Sequence, residues 1–213
     1  MSSEPPFDFP QQPHQRRHGP QGYAYESFRE WLRDEFGYRC VYCLTQENWV
    51  APAGGFHLDH MIPVALDPAR ETDYANLVYA CCGCNLAKGK KVLPDPTKIA
   101  FGACLTVLPD GRVKAIDDEG HGERLILGLG LKKPALREWR AKWILKLRYY
   151  QKHADDPACQ QLMDIDFGYP LTTLTNLAKL DPPGGNSRRK GICESAYALK
   201  KRGKLPRLIG GSE

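Results

Sequence analysis

Two pairs of cysteines set the terms for any fold of this chain. Two residues separate Cys40 from Cys43, and two separate Cys81 from Cys84, one of them Cys82. That spacing lets one tight turn aim both sulfurs at a single point, and zinc takes four soft ligands in a tetrahedron. The remaining three of the eight cysteines, Cys104, Cys159 and Cys193, stand alone. This is not the disulfide framework of a small secreted domain. A redox Cys-x-x-Cys needs only one pair, and it needs a thioredoxin-like setting that the neighbouring pattern lacks. The expectation is therefore a structural zinc held by Cys40, Cys43, Cys81 and Cys84. Cys82 competes for the place of Cys81 or Cys84. A metal closed by four thiolates has no open position, so it holds a fold and leaves the chemistry to other residues.

The 213 residues suit one ordinary domain with extended ends. No apolar run is long enough to span a bilayer, and the N-terminus lacks the apolar stretch of a signal peptide. A cytoplasmic protein with no membrane partner is expected. Residues 1–22, rich in Pro and Gln, read as a flexible or surface-draped arm. Tyr25, Phe28, Trp31, Leu32 and Phe36 recur at helical spacing and stop at Gly37. GGFHLDH reads as the second strand of a hairpin turned by PAGG at 52–55, and ACCGCNLAKGKK opens a short helix. Residues 104–116 read as a hairpin around Pro109, Asp110 and Gly111. Residues 125–129 are expected to add a strand. Pro134 begins a strong amphipathic helix with Leu136, Trp139, Trp143, Leu147 and Tyr150 along one face. A further helix starts at Pro157 with Asp156 as its cap. PPGGN at 182–186 breaks the chain, and a basic helix is expected over 187–202.

Between the cysteine pairs lies DHMIP, which sets the carboxylate of Asp59 beside the imidazole of His60. Asn85 follows the second pair. A zinc gathering both pairs brings these groups towards one another. Oxygen donors from Asp59 and Asn85 suit Mg²⁺, or Mn²⁺ in its place, which keeps waters and accepts phosphate oxygens. A histidine near neutral pKa takes a proton from an attacking water. The set therefore suits hydrolysis of a phosphodiester. Adjacent strand residues face opposite sides, so Asp59 and His60 share one site only if the strand twists or bulges there. Lys88, Lys90 and Lys91 are placed for nucleic-acid contact rather than catalysis. His57 is peripheral, and His14, His18, His121 and His153 are expected at the surface.

As a composite, CVYC (40–43), LDHMIP (58–63) and NLVYACCGCNLAKGKK (76–91) resemble the HNH endonucleases, also called ββα-metal or His-Me finger nucleases. The resemblance covers about fifty residues. It implies an α+β chain: a ββα-metal finger with structural zinc, flanked by an N-terminal helix and a C-terminal hairpin plus helices. The implied divisions are an arm at 1–22, the nuclease core with its leading helix at 23–100, a hairpin and helical extension at 101–181 and a basic segment at 182–213. The resemblance implies His60 as general base, Asp59 and Asn85 as ligands of the catalytic metal, and Asn76 as the brace of the loop that orients the histidine. Cys40, Cys43, Cys81 and Cys84 would hold the zinc. The flanks also resemble stand-alone bacterial HNH proteins. That implies phage defence or restriction, with a partner ATPase or another defence-system protein.

Charge is compatible with a nucleic-acid partner. Residues 187–213 carry eight Lys/Arg and two Asp/Glu, so of the net +5 they supply +6 and the rest of the chain −1. The leading expectation is a metal-dependent endonuclease acting on double-stranded DNA. The alternatives are a zinc-stapled nucleic-acid-binding module without turnover, which has no use for Asp59, His60 and Asn85 together, and an RNase built on the same site.

Overall fold

The computed structural model describes residues 5–19, 24–50, 55–170 and 195–209. A 3₁₀ turn, Tyr25–Phe28, leads into helix α1, Arg29–Glu35. Phe28, Trp31 and Leu32 form its buried stripe, and the backbone turns out of the helix at Gly37, where φ is +60°. Strand β1, Phe56–His60, pairs antiparallel with β2, Leu77–Cys81, in a register running from Phe56 opposite Cys81 to His60 opposite Leu77. Helix α2, Cys82–Lys88, follows β2 directly. These three elements make the expected ββα finger.

A short helix α3, Phe101–Cys104, feeds a second hairpin of β3, Leu105–Val107, and β4, Val113–Ala115. Helices α4, His121–Leu129, α5, Pro134–Lys152, and α6, Pro157–Phe167, follow. Asp156 caps α6 by accepting from the Ala158 N–H at 2.8 Å. Gly111, with φ of +79°, turns the β3–β4 hairpin so tightly against α5 that a Cβ there would lie 2.1 Å from the Arg137 carbonyl. The buried Arg140 fastens the same contact, donating to Gly111 O at 2.7 Å and Leu131 O at 2.8 Å. Among the described residues no helix is long and apolar enough to cross a membrane.

Four sequence expectations are corrected. Residues 125–129 are helical. Leu125, Ile126 and Leu129 are buried while Leu127 is 75% exposed, a helical pattern. Asp117 starts that helix by accepting from the N–H groups of His121 and Gly122 at 2.7 and 2.9 Å. The partner of β1 is β2 rather than a strand before Pro52. Residues Glu47–Trp49 form a 3₁₀ turn instead, and the Trp49 indole stacks on Trp143 and donates to Asp166 O at 2.7 Å.

The described part of the expected arm, residues 5–19, is packed rather than flexible. Phe7 is fully buried against Trp49 and Trp139, and Phe9 is 3% exposed. His18 is buried too, contrary to a surface position. Its Nε2 lies 2.7 Å from Asp34, and its main-chain N–H donates to Glu35 at 3.0 Å.

Asp34 and Glu35, both buried on α1, gather distant segments. Glu35 takes His14, Arg16 and the Tyr74 hydroxyl, and Asp34 takes Arg17, His18 and the main-chain N–H of Ala196 at 2.8 Å. The Ala196 N–H belongs to helix α7, Ala196–Lys201. The rest of the basic helix expected over 187–202, and the break at 182–186, lie outside the described residues, as do residues 52–54 of the expected turn.

Candidate active site and zinc staple

The Sγ atoms of Cys40, Cys43, Cys81 and Cys84 all lie within 4.8 Å of one another. Four sulfurs at tetrahedral zinc distances of about 2.3 Å sit roughly 3.8 Å apart, and Cys43 Sγ and Cys81 Sγ are separated by 3.6 Å. The donor set and its spacing fit zinc. Backbone geometry builds the cage. Leu44 N–H donates to Cys40 O at 2.9 Å to close the first turn, and Val41 N–H donates to Tyr79 O at 2.9 Å, seating that turn on β2. Cys81 caps α2, its sulfur accepting from the Cys84 N–H at 3.5 Å. Burial pushes the Cys40 thiol well above its ordinary range, and hydrogen bonds with the other three sulfurs do the same to Cys84. Hydrogen bonds from Cys40, Cys81 and Cys84 hold Cys43 well below it. Cys82 is outside the cluster.

Asp59 and His60 end strand β1, whose pairing continues through His60 without a bulge. Their side chains therefore leave the strand on opposite faces, so the ladder does not by itself bring them into one site. What links the two residues is Lys88, whose Nζ reaches Asp59 Oδ1 and the main-chain oxygen of His60. Asp59 is 5% exposed and points to the α2 side, where its Oδ2 accepts from the Tyr42 hydroxyl at 2.6 Å and its Oδ1 from Lys88 Nζ at 3.0 Å. Burial pushes its carboxyl above the usual range, against the opposing pull of Lys88 and Tyr42. His60 is half-buried. Its ring stacks on Tyr25, with centroids 5.0 Å apart and planes 9° from parallel, and its Nε2 lies 2.9 Å from Glu71 O. A carbonyl only accepts, so Nε2 carries the proton and Nδ1 is left as the basic nitrogen.

Asn76 is fully buried just before β2. Its carboxamide accepts from Ile62 N–H at 2.9 Å and donates to Ile62 O at 3.0 Å and Arg70 O at 3.3 Å. It ties Ile62, near the start of the loop, to Arg70, next to Glu71, the partner of His60. Asn85 is half-buried on α2. It lies three residues before Lys88, hence on the same helix face, and Lys88 reaches Asp59.

Two residues of the site escaped the sequence reading. Tyr42 lies inside the first cysteine pair and reads there as a spacer. Lys88 sits in a run of lysines and reads, with Lys90 and Lys91, as a nucleic-acid contact; it is instead 1% exposed, with its Nζ on Asp59 and the His60 main chain. The signal for Lys88 was its spacing: four residues after Cys84, it shares the buried face of α2.

Two strands, a helix and a four-sulfur cluster that joins the turn before them to the start of the helix define a zinc-stapled ββα finger. Residues 40–91, about a quarter of the chain, match the family model for the HNH endonuclease. No curated protein matches the chain.

Proposed function

We propose that the protein is a metal-dependent endonuclease that hydrolyses phosphodiester bonds in DNA, nicking or cutting double-stranded substrates. The observation that carries the reading is the state of His60. Its Nε2 lies against Glu71 O and its ring stacks on Tyr25, which supports Nδ1 as the base the site would use. Asp59 and Asn85 offer two hard oxygen donors of the kind Mg²⁺ or Mn²⁺ takes, and each Asp59 oxygen has lone-pair capacity beyond the bond it accepts. When bound there, the metal would supply charge stabilisation for the phosphate and leaving oxygen. His60 Nδ1 would take the proton of the attacking water. Asn76 would keep the Glu71 carbonyl, and with it the ring, in place. Lys90, exposed after α2, would hold a neighbouring phosphate, whereas Lys91 Nζ donates to Ala87 O and Gly128 O. The flanking resemblance supports a setting in phage defence or restriction, alongside a partner ATPase or another defence-system protein.

One observation favours the zinc-stapled binding module instead: the Asp59 carboxylate already has Tyr42 and Lys88 as partners. Supercoiled plasmid in low salt, with Mg²⁺ or Mn²⁺ against EDTA, separates the two. Nicking that needs the metal and vanishes in His60→Ala supports the nuclease. Plasmid binding without nicking by the wild-type chain overturns it in favour of the module, and cleavage of single-stranded RNA alone makes it an RNase.

A further inference from the structure

An ammonium group almost closed off from water sits inside the candidate site. Lys88 is 1% exposed, and its Nζ lies 3.0 Å from Asp59 Oδ1 and 2.6 Å from the main-chain oxygen of His60. One side chain of α2 thus holds the carboxylate of one candidate site residue and the backbone of the other. The remaining Asp59 oxygen is taken by Tyr42. Charges removed from water this far are tolerated only when paired, and here the pair of Lys88 is the carboxylate that the divalent ion would need.

We propose that Lys88 is the resident cation of the metal seat: a positioning residue that holds Asp59 and the His60 backbone in place, and with which an incoming Mg²⁺ or Mn²⁺ must share Asp59. The proposal rests on the nuclease reading and adds a regulatory property to it. Lys88 sets the concentration of divalent ion at which the site fills. Two cations on one carboxylate repel, and the low-dielectric surroundings strengthen that repulsion. The lysine therefore lowers metal affinity while it sharpens the geometry that the metal meets. A lysine that only tied α2 to β1 would do neither.

Lys88→Met keeps most of the stem and removes the charge. In the full, zinc-loaded chain, Mn²⁺ binding is measured by calorimetry and by the rise in Tm on adding Mn²⁺, with plasmid nicking followed across Mn²⁺ concentrations. The expected result is a Kd for Mn²⁺ lower by about tenfold, a matching fall in the half-saturating metal for nicking, and a slower rate at saturation. Lys88→Arg retains the charge and should bind Mn²⁺ within about twofold of wild type. An unchanged Kd in a Lys88→Met chain that keeps its zinc and melts cooperatively overturns the proposal.

Should Lys88→Met fail to fold, the wild-type chain labelled with ¹⁵N-lysine gives the answer. Its slowly exchanging Nζ signal, assigned by its loss in Lys88→Arg, should shift saturably as Mg²⁺ is added. A signal that stays still while Mg²⁺ binds overturns the proposal. A wild-type chain that binds no divalent ion overturns the nuclease reading as well, whereas one that binds and cuts with the Lys88→Met Kd unchanged overturns the lysine's role alone.

Discussion

The hydroxyl of Tyr42 donates to the carboxylate of Asp59 at 2.6 Å. Tyr42 belongs to the turn between Cys40 and Cys43, so the zinc staple and the candidate metal ligand are one hydrogen bond apart. Tyr42→Phe removes the donor and leaves a buried carboxylate oxygen unmatched. It should cost about 2 kcal/mol of stability and slow nicking, with zinc retained. Urea midpoints, plasmid nicking and elemental analysis on the same preparation would check this.

The zinc itself makes a sharper test of ligand choice. Cys81→Ser should lose the metal and the cooperative melt of the finger, because a site of four thiolates contributes to folding directly. Cys82→Ser should keep both, since Cys82 lies outside the four-sulfur cluster. Zinc per chain and thermal melting would distinguish them, and loss of zinc in Cys82→Ser would redraw the site.

His60 and Asn76 should fail in different ways. The His60 ring is half-buried and makes one hydrogen bond, so His60→Ala is expected to shift stability by less than about 1 kcal/mol while lowering nicking at least ~100-fold. Asn76 is fully buried with bonds to Ile62 and Arg70. Asn76→Ala should cost about 3 kcal/mol, and activity should fall with it as the Glu71 loop loosens. Denaturant melts set beside nicking rates would separate the two patterns.

The Glu35 cluster predicts a specific acid sensitivity. Burial alone would raise the Glu35 carboxyl, but His14, Arg16 and Tyr74 together hold it below its ordinary value of 4.5. A depressed carboxylate contributes stability above its unfolded pKa, and that contribution is lost as pH falls through the folded one. Glu35→Gln should therefore melt lower than wild type near neutrality, and the gap should close as pH drops below 4.5. A gap that persisted into acid would mean that the carboxylate charge is not what binds the cluster.

Phe7 anchors the N-terminal segment between Trp49 and Trp139. Phe7→Ala should cost about 3–5 kcal/mol, measured by chemical denaturation. A neutral substitution would restore the picture of a loose arm.

How much of this was legible in the sequence depended on whether the cause was local. The cysteine pairs, the caps at Gly37 and Asp156 and the Pro134 start each act within a few residues, and the structure has a four-sulfur cluster and helices there. The β1–β2 ladder joins strands separated by the loop from Met61 to Asn76, and no local pattern announces such a pairing. Residues 125–129 carry an apolar run that suits a strand or a helix, and Asp117, outside the run, decided for helix. Phe7 and Phe9 are two aromatic residues in a Pro-rich stretch, and their burial depends on tryptophans far along the chain. At the site, the identities of Asp59, His60, Asn76 and Asn85 drew attention. Lys88 drew attention only as a surface contact for nucleic acid, because a charge among charges reads as solvated until a helix face turns it inward.

The bond between Asp34 and the Ala196 N–H spans 162 residues. On a ribosome, the whole of 40–91, with both cysteine pairs and the ladder, emerges long before that donor exists. Zinc can close the finger early, since its four sulfurs are then present, while the buried carboxylate of Asp34 on the helix that leads into it, already met by Arg17 and His18, still lacks its last donor. The long loop to be closed makes this contact a slow and late one. The chain therefore builds its finger first and latches the leading helix last.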